Sequence, residues 1–269
     1  MPFLIRKSIG TVAWRGLVTL LYLFLLAPII IIVVISFGTQ EYLSFPPQGF
    51  TTRWFEMLPS NSDFMTGLGT SLVIALIVSV ITTAVAVPAA LALSRYRFRS
   101  RAVLSGMFLS PLMLPTVVLG LALFLVLIPF GLVGTYPGLV FAHLAITLPY
   151  VVRTTEMSLL TVDTSCEAAA KILGAGPWAT FWRVTLPLIR PGVIAGAVMA
   201  AIVSFDEAVI SLYIAGQGAT TLPVYLFRYA QTQTDPQLAA LSTVLIVGSV
   251  LVVVIVERTL GLSKAVGGA

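Results

Sequence analysis

The chain has 269 residues, 58% of them hydrophobic and only 9% charged, where soluble domains carry about 25% charged residues. So few polar side chains do not cover a globular surface in water, and the expected solvent is a lipid bilayer. The net charge of +5 is scattered between long uncharged runs without a basic face, which excludes nucleic acid as a partner, and a lone cysteine, Cys166, excludes an internal disulfide.

A membrane-crossing helix needs about 20 predominantly apolar residues. Predominantly apolar stretches predict six, near 17–38, 68–94, 103–128, 138–153, 191–213 and 238–256, as a single transmembrane domain over 1–269. The first follows Arg6, Lys7 and Arg15 and is longer than a signal-peptide core, so it reads as an uncleaved anchor. After it come Glu41, Glu56 and Asp63 with Trp54 and Phe55, a pattern that predicts a short amphipathic helix anchored at the outer interface. No Asp, Glu, Lys or Arg stands between Ala102 and Val152, too long a run for one crossing, and the turn-rich Gly131–Gly138 divides it into spans three and four.

Lys and Arg orient the chain, because cytoplasmic loops hold the excess of them. Thirteen fall on one side: Arg6, Lys7 and Arg15 before span one, Arg95, Arg97, Arg99 and Arg101 between two and three, Arg153, Lys171, Arg183 and Arg190 between four and five, and Arg258 and Lys264 after six. The other side keeps Arg53 and Arg228, so both termini are expected in the cytoplasm.

Absences matter as much. The sequence contains no GxxxxGK[ST] phosphate loop, no HExxH and no GxSxG, so it offers neither a nucleotide site nor the parts of a metalloprotease or serine hydrolase. Neither catalytic residues nor a metal site nor a cofactor is expected. The one histidine, His143, lies within span four, where packing between helices is the favoured role over proton transfer.

The loop 154–190 is the longest cytoplasmic connection, and it reads helix, turn, helix. Asp163 and Thr164 can cap a helix through Glu167, Ala168, Ala169, Ala170, Lys171, Ile172 and Leu173, which Gly174 and Gly176 end. Pro177 suits the first turn of a second helix through Trp178, Phe181 and Trp182, which Pro187 and Pro191 are expected to close. Two tryptophans in such a loop suit either the headgroup boundary or docking on a soluble partner.

Glu167-Ala-Ala-Ala-Lys-Ile-Leu-Gly174 followed by Val184-Thr-Leu-Pro187 resembles the EAA loop of ABC importer permeases, EAA…G…I-x-L-P, which lies between the fourth and fifth of six spans. In that family the Glu stands six residues before the Gly; here Ala168 holds that place and Glu167 comes one residue earlier, about 100° around a helix. Pro111-Leu-Met-Leu-Pro115 and Leu148-Pro149-Tyr150 extend the resemblance, which covers spans two to six. It implies a bacterial inner-membrane permease subunit that works with a second, related permease, two cytoplasmic subunits holding ATP and magnesium, and an external solute-binding protein. It also implies that Glu167, Ala168, Ala169, Gly174, Ala175, Leu186 and Pro187 belong to a coupling helix and its surroundings, seated in a groove of an ATP-binding subunit.

Asp206 and Glu207 are adjacent within span five, where acids are costly unless paired or facing water, so a pathway for a cationic solute is the simplest expectation. Pairing with a group of the second permease is the alternative. Ser204-Phe-Asp-Glu-Ala-Val-Ile-Ser211, with Thr221-Leu-Pro-Val-Tyr225, resembles the branch of these permeases that imports spermidine and putrescine, with opine and aminophosphonate relatives. Carboxylates with the aromatic faces of Phe205 and Tyr213 would suit such amines. The strip Gly192, Gly196, Ala200 lets a second helix approach closely, from this chain or another. The rival from a different class is an ion-coupled transporter or channel that uses Asp206, Glu207 and His143 itself.

Overall fold

A computed structural model of the chain describes residues 2–260; Lys264, counted above among the cytoplasmic charges, lies outside them. The helices in chain order are α1 (Pro2–Ile35), α2 (Arg53–Met57), α3 (Ser62–Arg95), α4 (Arg101–Leu109), α5 (Thr116–Leu127), α6 (Tyr136–Thr161), α7 (Thr164–Ile172), α8 (Pro177–Thr180), α9 (Leu186–Asp206), α10 (Val209–Ile214), α11 (Leu222–Thr232) and α12 (Pro236–Leu260). Among the described residues no β-strand forms, only isolated bridges at Gly38–Phe50 and Gly216–Ala219, so the chain is all-α.

Among the described residues four helical stretches are long and apolar enough to cross a membrane: Trp14–Ile35, Ser62–Arg95, Tyr136–Thr161 and Pro177–Asp206. Two departures from the expected continuous spans have local causes. The stretch expected at 103–128 bends by 111° between Arg101–Met113 and Thr116–Phe130. Leu114 there is extended, with ψ of 140°, because the ring of Pro115 disfavours the helical conformation in the residue before it. The stretch expected at 191–213 stops at Asp206, and Glu207 adopts ψ of 104° before α10 begins. The final apolar segment, Pro236–Val252, is shorter.

The chain divides into two compact units, one holding the residues up to Ser62 with Tyr229–Leu251, the other Asp63–Arg228 and the chain from Val252 on. In the first, the segment after α1 folds back on itself. The Trp54 indole N–H donates to the Gly38 carbonyl at 2.8 Å, Phe37 and Phe55 pack at 4.9 Å between centroids, and the Arg53 guanidinium lies 4.4 Å from the Trp54 ring centre. Trp54 is thereby buried and closes this loop, within the short helix α2.

In the second unit α6 packs along α9, and α3 lies against both. One apolar cluster joins Ile74 and Val78 of α3 to Leu139 and Ile146 of α6 and Ile210 and Ile214 of α10; another joins Val87 and Leu93 of α3 to Val151 and Leu159 of α6 and Ile189 and Ala200 of α9. Lipid tails are as apolar as these side chains, so close packing and interhelical hydrogen bonds must hold the helices together. Ser79 donates to the Ala197 carbonyl at 2.7 Å, and the hydroxyls of Thr82 and Thr147 meet at 2.8 Å. The strip Gly192, Gly196, Ala200 faces α6 of the same chain: a Cβ at Gly192 would collide with Ser158, and one at Gly196 with Thr154.

Candidate functional site

Two places carry polar chemistry that packing alone does not require: the hairpin 163–187 and the break between α9 and α10.

The hairpin is built from local signals. Asp163 caps α7 by accepting from the Ser165 N–H at 2.9 Å, a bond that holds its carboxyl below the ordinary carboxylate range by stabilising the ionised form. Glu167 in the first turn and Lys171 in the last complement the helix dipole. At the far end the Gly174 N–H donates to the Lys171 carbonyl and the Ala175 N–H to the Ala170 carbonyl, both at 3.0 Å, the paired bonds of a Schellman cap. That cap needs a left-handed residue, and Gly174 supplies φ of +85°.

With 9 residues, α7 is shorter than the ~12–15 at which helices become stable alone in water, so tertiary ties must hold it. Glu167 provides them. Its Oε1 lies 3.2 Å from Arg95 Nη2 and 3.3 Å from Arg95 Nε at the end of α3, and accepts from the Thr185 hydroxyl at 3.2 Å. Both charged side chains are mostly buried, with 18% and 13% exposure. Glu167 thus turns into the protein and pins α7 to α3 and to the start of α9, while Ala168 and Ala169 face outward.

Pro187 and Pro191 do not close the second helix. Phe181–Thr185 forms a π-helical turn that runs α8 into α9, so Pro177–Asp206 is one helical stretch. Pro187, just after the π-helical turn, and Pro191 are both carried inside this stretch. Outside the hairpin lies a shallow depression of about 430 Å³ lined by Ala170, Leu173, Gly174, Ala175, Ala179 and Val184. Ile172 is 86% exposed and Trp178 74%, and Trp178 meets Trp182 edge-on at 5.6 Å. Leu186 is half-buried and Pro187 exposed.

At the second place, Glu207 caps α10 by accepting from the Ile210 N–H at 2.8 Å, which explains how a helix breaks here without glycine or proline. Asp206, the last residue of α9, is exposed and forms neither a hydrogen bond nor an ion pair among the described residues. Phe205 is half-buried. Tyr213 lays its ring on Gly120 of α5, where a Cβ would approach Cδ2 to 2.8 Å. The two acids therefore do not share one helix. His143 is fully buried beside the break, with Nδ1 2.8 Å from Ser204 Oγ and Nε2 2.9 Å from Ser211 Oγ.

Reading the sequence missed Arg95 and Thr185 as partners of Glu167, and Ser204 and Ser211 as partners of His143. Arg95 was visible only as one of four clustered arginines, whereas serines placed on both sides of an acid pair were a usable sign of a broken helix.

Comparison with known proteins agrees with this architecture. Residues 83–260 match the family described as binding-protein-dependent transport system inner membrane component. The spermidine/putrescine transport system permease protein PotC of Escherichia coli K12 is 33% identical over 259 residues, 96% of this chain and 97% of that one. The putrescine transport system permease protein PotI of the same strain is 34% identical over 248 residues, 89% and 88% of the two chains. The molybdenum transport system permease protein ModB of Mycobacterium bovis is 40% identical over 191 residues, 65% of this chain and 72% of that one. In fold, the chain is similar to one from the crystal structure of a bacterial ABC transporter that imports the acidic polysaccharide alginate, with a TM-score of 0.74, 20% identity, and 94% and 96% of the two chains covered. This chain belongs to the inner-membrane components of binding-protein-dependent transport systems, the permease subunits of ABC importers.

Proposed function

We propose that the chain forms half of the translocation pathway of an importer for small organic amines of the putrescine and spermidine class, with six spans and both termini in the cytoplasm. The observation that carries the substrate class is Asp206, a carboxylate exposed at a helix break without a partner among the described residues. At roughly 22 Å along α9 from Pro191, it would meet a cation inside the membrane, where only a charged or aqueous partner stabilises it. Glu207 and Phe205 flank it in sequence, and Tyr213 follows on α10 with its ring against Gly120 of α5. PotC and PotI, matched over most of the chain, bear polyamine names, which supports the same class.

The six spans are α1, α3, the bent α4–α5 pair, α6, α9 and α12, and the asymmetry of Lys and Arg supports their orientation. The whole chain acts as one permease domain without catalytic residues, metal or cofactor. Hydrolysis of magnesium-bound ATP belongs to two cytoplasmic subunits, and an external binding protein delivers solute to this permease and its related partner. The hairpin, with Ala168, Ala169, Gly174, Ala175 and the exposed Ile172 and Trp178, docks on an ATP-binding subunit, and Leu186 and Pro187 carry its movement into α9. Glu167 does not touch that subunit; it is the internal pin.

A molybdenum-type oxyanion is the second reading, favoured by the 40% identity to ModB over 65% of the chain. The test is ATP hydrolysis by the complex purified with its own subunits and binding protein, against putrescine, spermidine, opines, aminophosphonates and molybdate. Stimulation by the amines that is lost in Asp206→Asn supports the proposal. Stimulation by the anions alone overturns the substrate class.

A further inference from the structure

Besides the Glu207 cap, the Ser211 bond to the Glu207 carbonyl and the packing of Ile210 and Ile214, one serine from each side of the break between α9 and α10 converges on the His143 side chain of α6. The Ser211 hydroxyl donates its single proton to the Glu207 carbonyl at 2.7 Å, so its oxygen must accept from the imidazole at 2.9 Å. That assigns the ring proton to Nε2 and leaves Nδ1 to accept from the Ser204 hydroxyl at 2.8 Å. Ser204 lies in the last turn of α9 and Ser211 in the first turn of α10, so one ring spans the break. The backbone of the same residue is tied as well: the Thr147 hydroxyl donates to the His143 carbonyl at 2.8 Å and meets Thr82 of α3 at 2.8 Å. All five side chains are buried.

A buried imidazole with both nitrogens used, one as donor and one as acceptor, does not behave as a spare packing group. We infer that His143 is a positioning residue, a clasp that sets the angle between α9 and α10 and thereby the direction in which Asp206 and Glu207 present their carboxylates. The clasp itself rests on the geometry of the break; its effect on transport rests on the proposed amine pathway. It acts on the pathway through the corner, without touching solute. Loss of the clasp loosens the corner, while α9 below it stays packed on α6 through Gly192 and Gly196.

The test uses the reconstituted importer in a Cys166→Ser background, with one reporter cysteine at Ala208→Cys in the corner or, as control, at Met199→Cys along α9. His143→Phe removes both bonds, His143→Gln offers one donor and one acceptor in their place, and Ser204→Ala with Ser211→Ala removes the partners while keeping the ring. The expected result is that Phe and the double serine variant raise the thiol-labelling rate at position 208 by about tenfold, the loss of two ordinary hydrogen bonds, that Gln restores it, and that position 199 does not change. Labelling unchanged at 208, or raised equally at 199, would overturn the clasp. If His143→Phe fails to assemble, the serine pair decides alone. Loosening at 208 with unaltered amine affinity would leave the clasp standing and remove the amine pathway.

Discussion

Breaking the Glu167 pin should unravel α7 while leaving the rest of the chain intact. Fully exposed ion pairs contribute about 0.2–1 kcal/mol, whereas stripping one partner from a fully buried pair costs about 3–5 kcal/mol. Arg95 and Glu167 retain 18% and 13% exposure, so the pair lies between these limits. Glu167→Ala, which leaves Arg95 unpaired and the Thr185 hydroxyl without its acceptor, should therefore destabilise α7 by about 2 kcal/mol. Glu167→Gln keeps an acceptor for Thr185 and loses only the charge, so about 1 kcal/mol is expected. A membrane complex does not unfold in one step, and the suitable assay is amide exchange across 164–173, which reads local opening directly. Glu167→Ala should accelerate it roughly 30-fold, and Arg95→Ala with Glu167→Ala should go no further than the worse single variant. Exchange at the wild-type rate, or strictly additive effects, would refute the claim that this pair holds the helix.

Three further outcomes follow from the same geometry. Gly174→Ala meets no neighbour, yet places a Cβ at φ of +85°, so it should weaken the α7 cap by about 1 kcal/mol, while Gly174→Asn recovers part of the loss; exchange of the Ala175 amide checks both. Gly196→Leu drives a side chain into Thr154 and Val151 and should lower the yield of folded chain in membranes by overpacking, whereas Gly106→Leu, with open space around its Cβ, should not. Asp163 has a carboxyl held below its unfolded value, so its contribution to α7 is complete above the ordinary carboxylate range and disappears as pH falls through the depressed value. Exchange corrected for intrinsic rates should show α7 loosening in acid, and Asp163→Asn, which still caps, should remove the part of that dependence that Asp163 contributes.

What the sequence disclosed were features written in neighbouring residues. The Asp163 cap lies two residues from its partner and the Gly174 turn closes within five, so propensity and capping rules suffice to place α7. The pin does not yield to such rules, because Arg95 and Glu167 are 72 residues apart and meet only once α3 and α7 have packed. The one-residue displacement of Glu167 acquires its meaning there: it points at Arg95, and Ala168 is left outside. The α9–α10 break was hidden for a similar reason. Counting apolar residues measures length and not continuity, and the imidazole that brackets the break comes from 61 residues before Ser204. Pro115 was visible, but a hydrophobicity rule bridges a proline that the backbone cannot.

The most direct test of the account is uptake of labelled putrescine into vesicles that hold the whole complex, with binding protein outside and ATP enclosed. Accumulation that requires both, is competed by spermidine and falls in Asp206→Asn is the predicted result. Uptake by this chain alone under an ion gradient, without ATP, would contradict it.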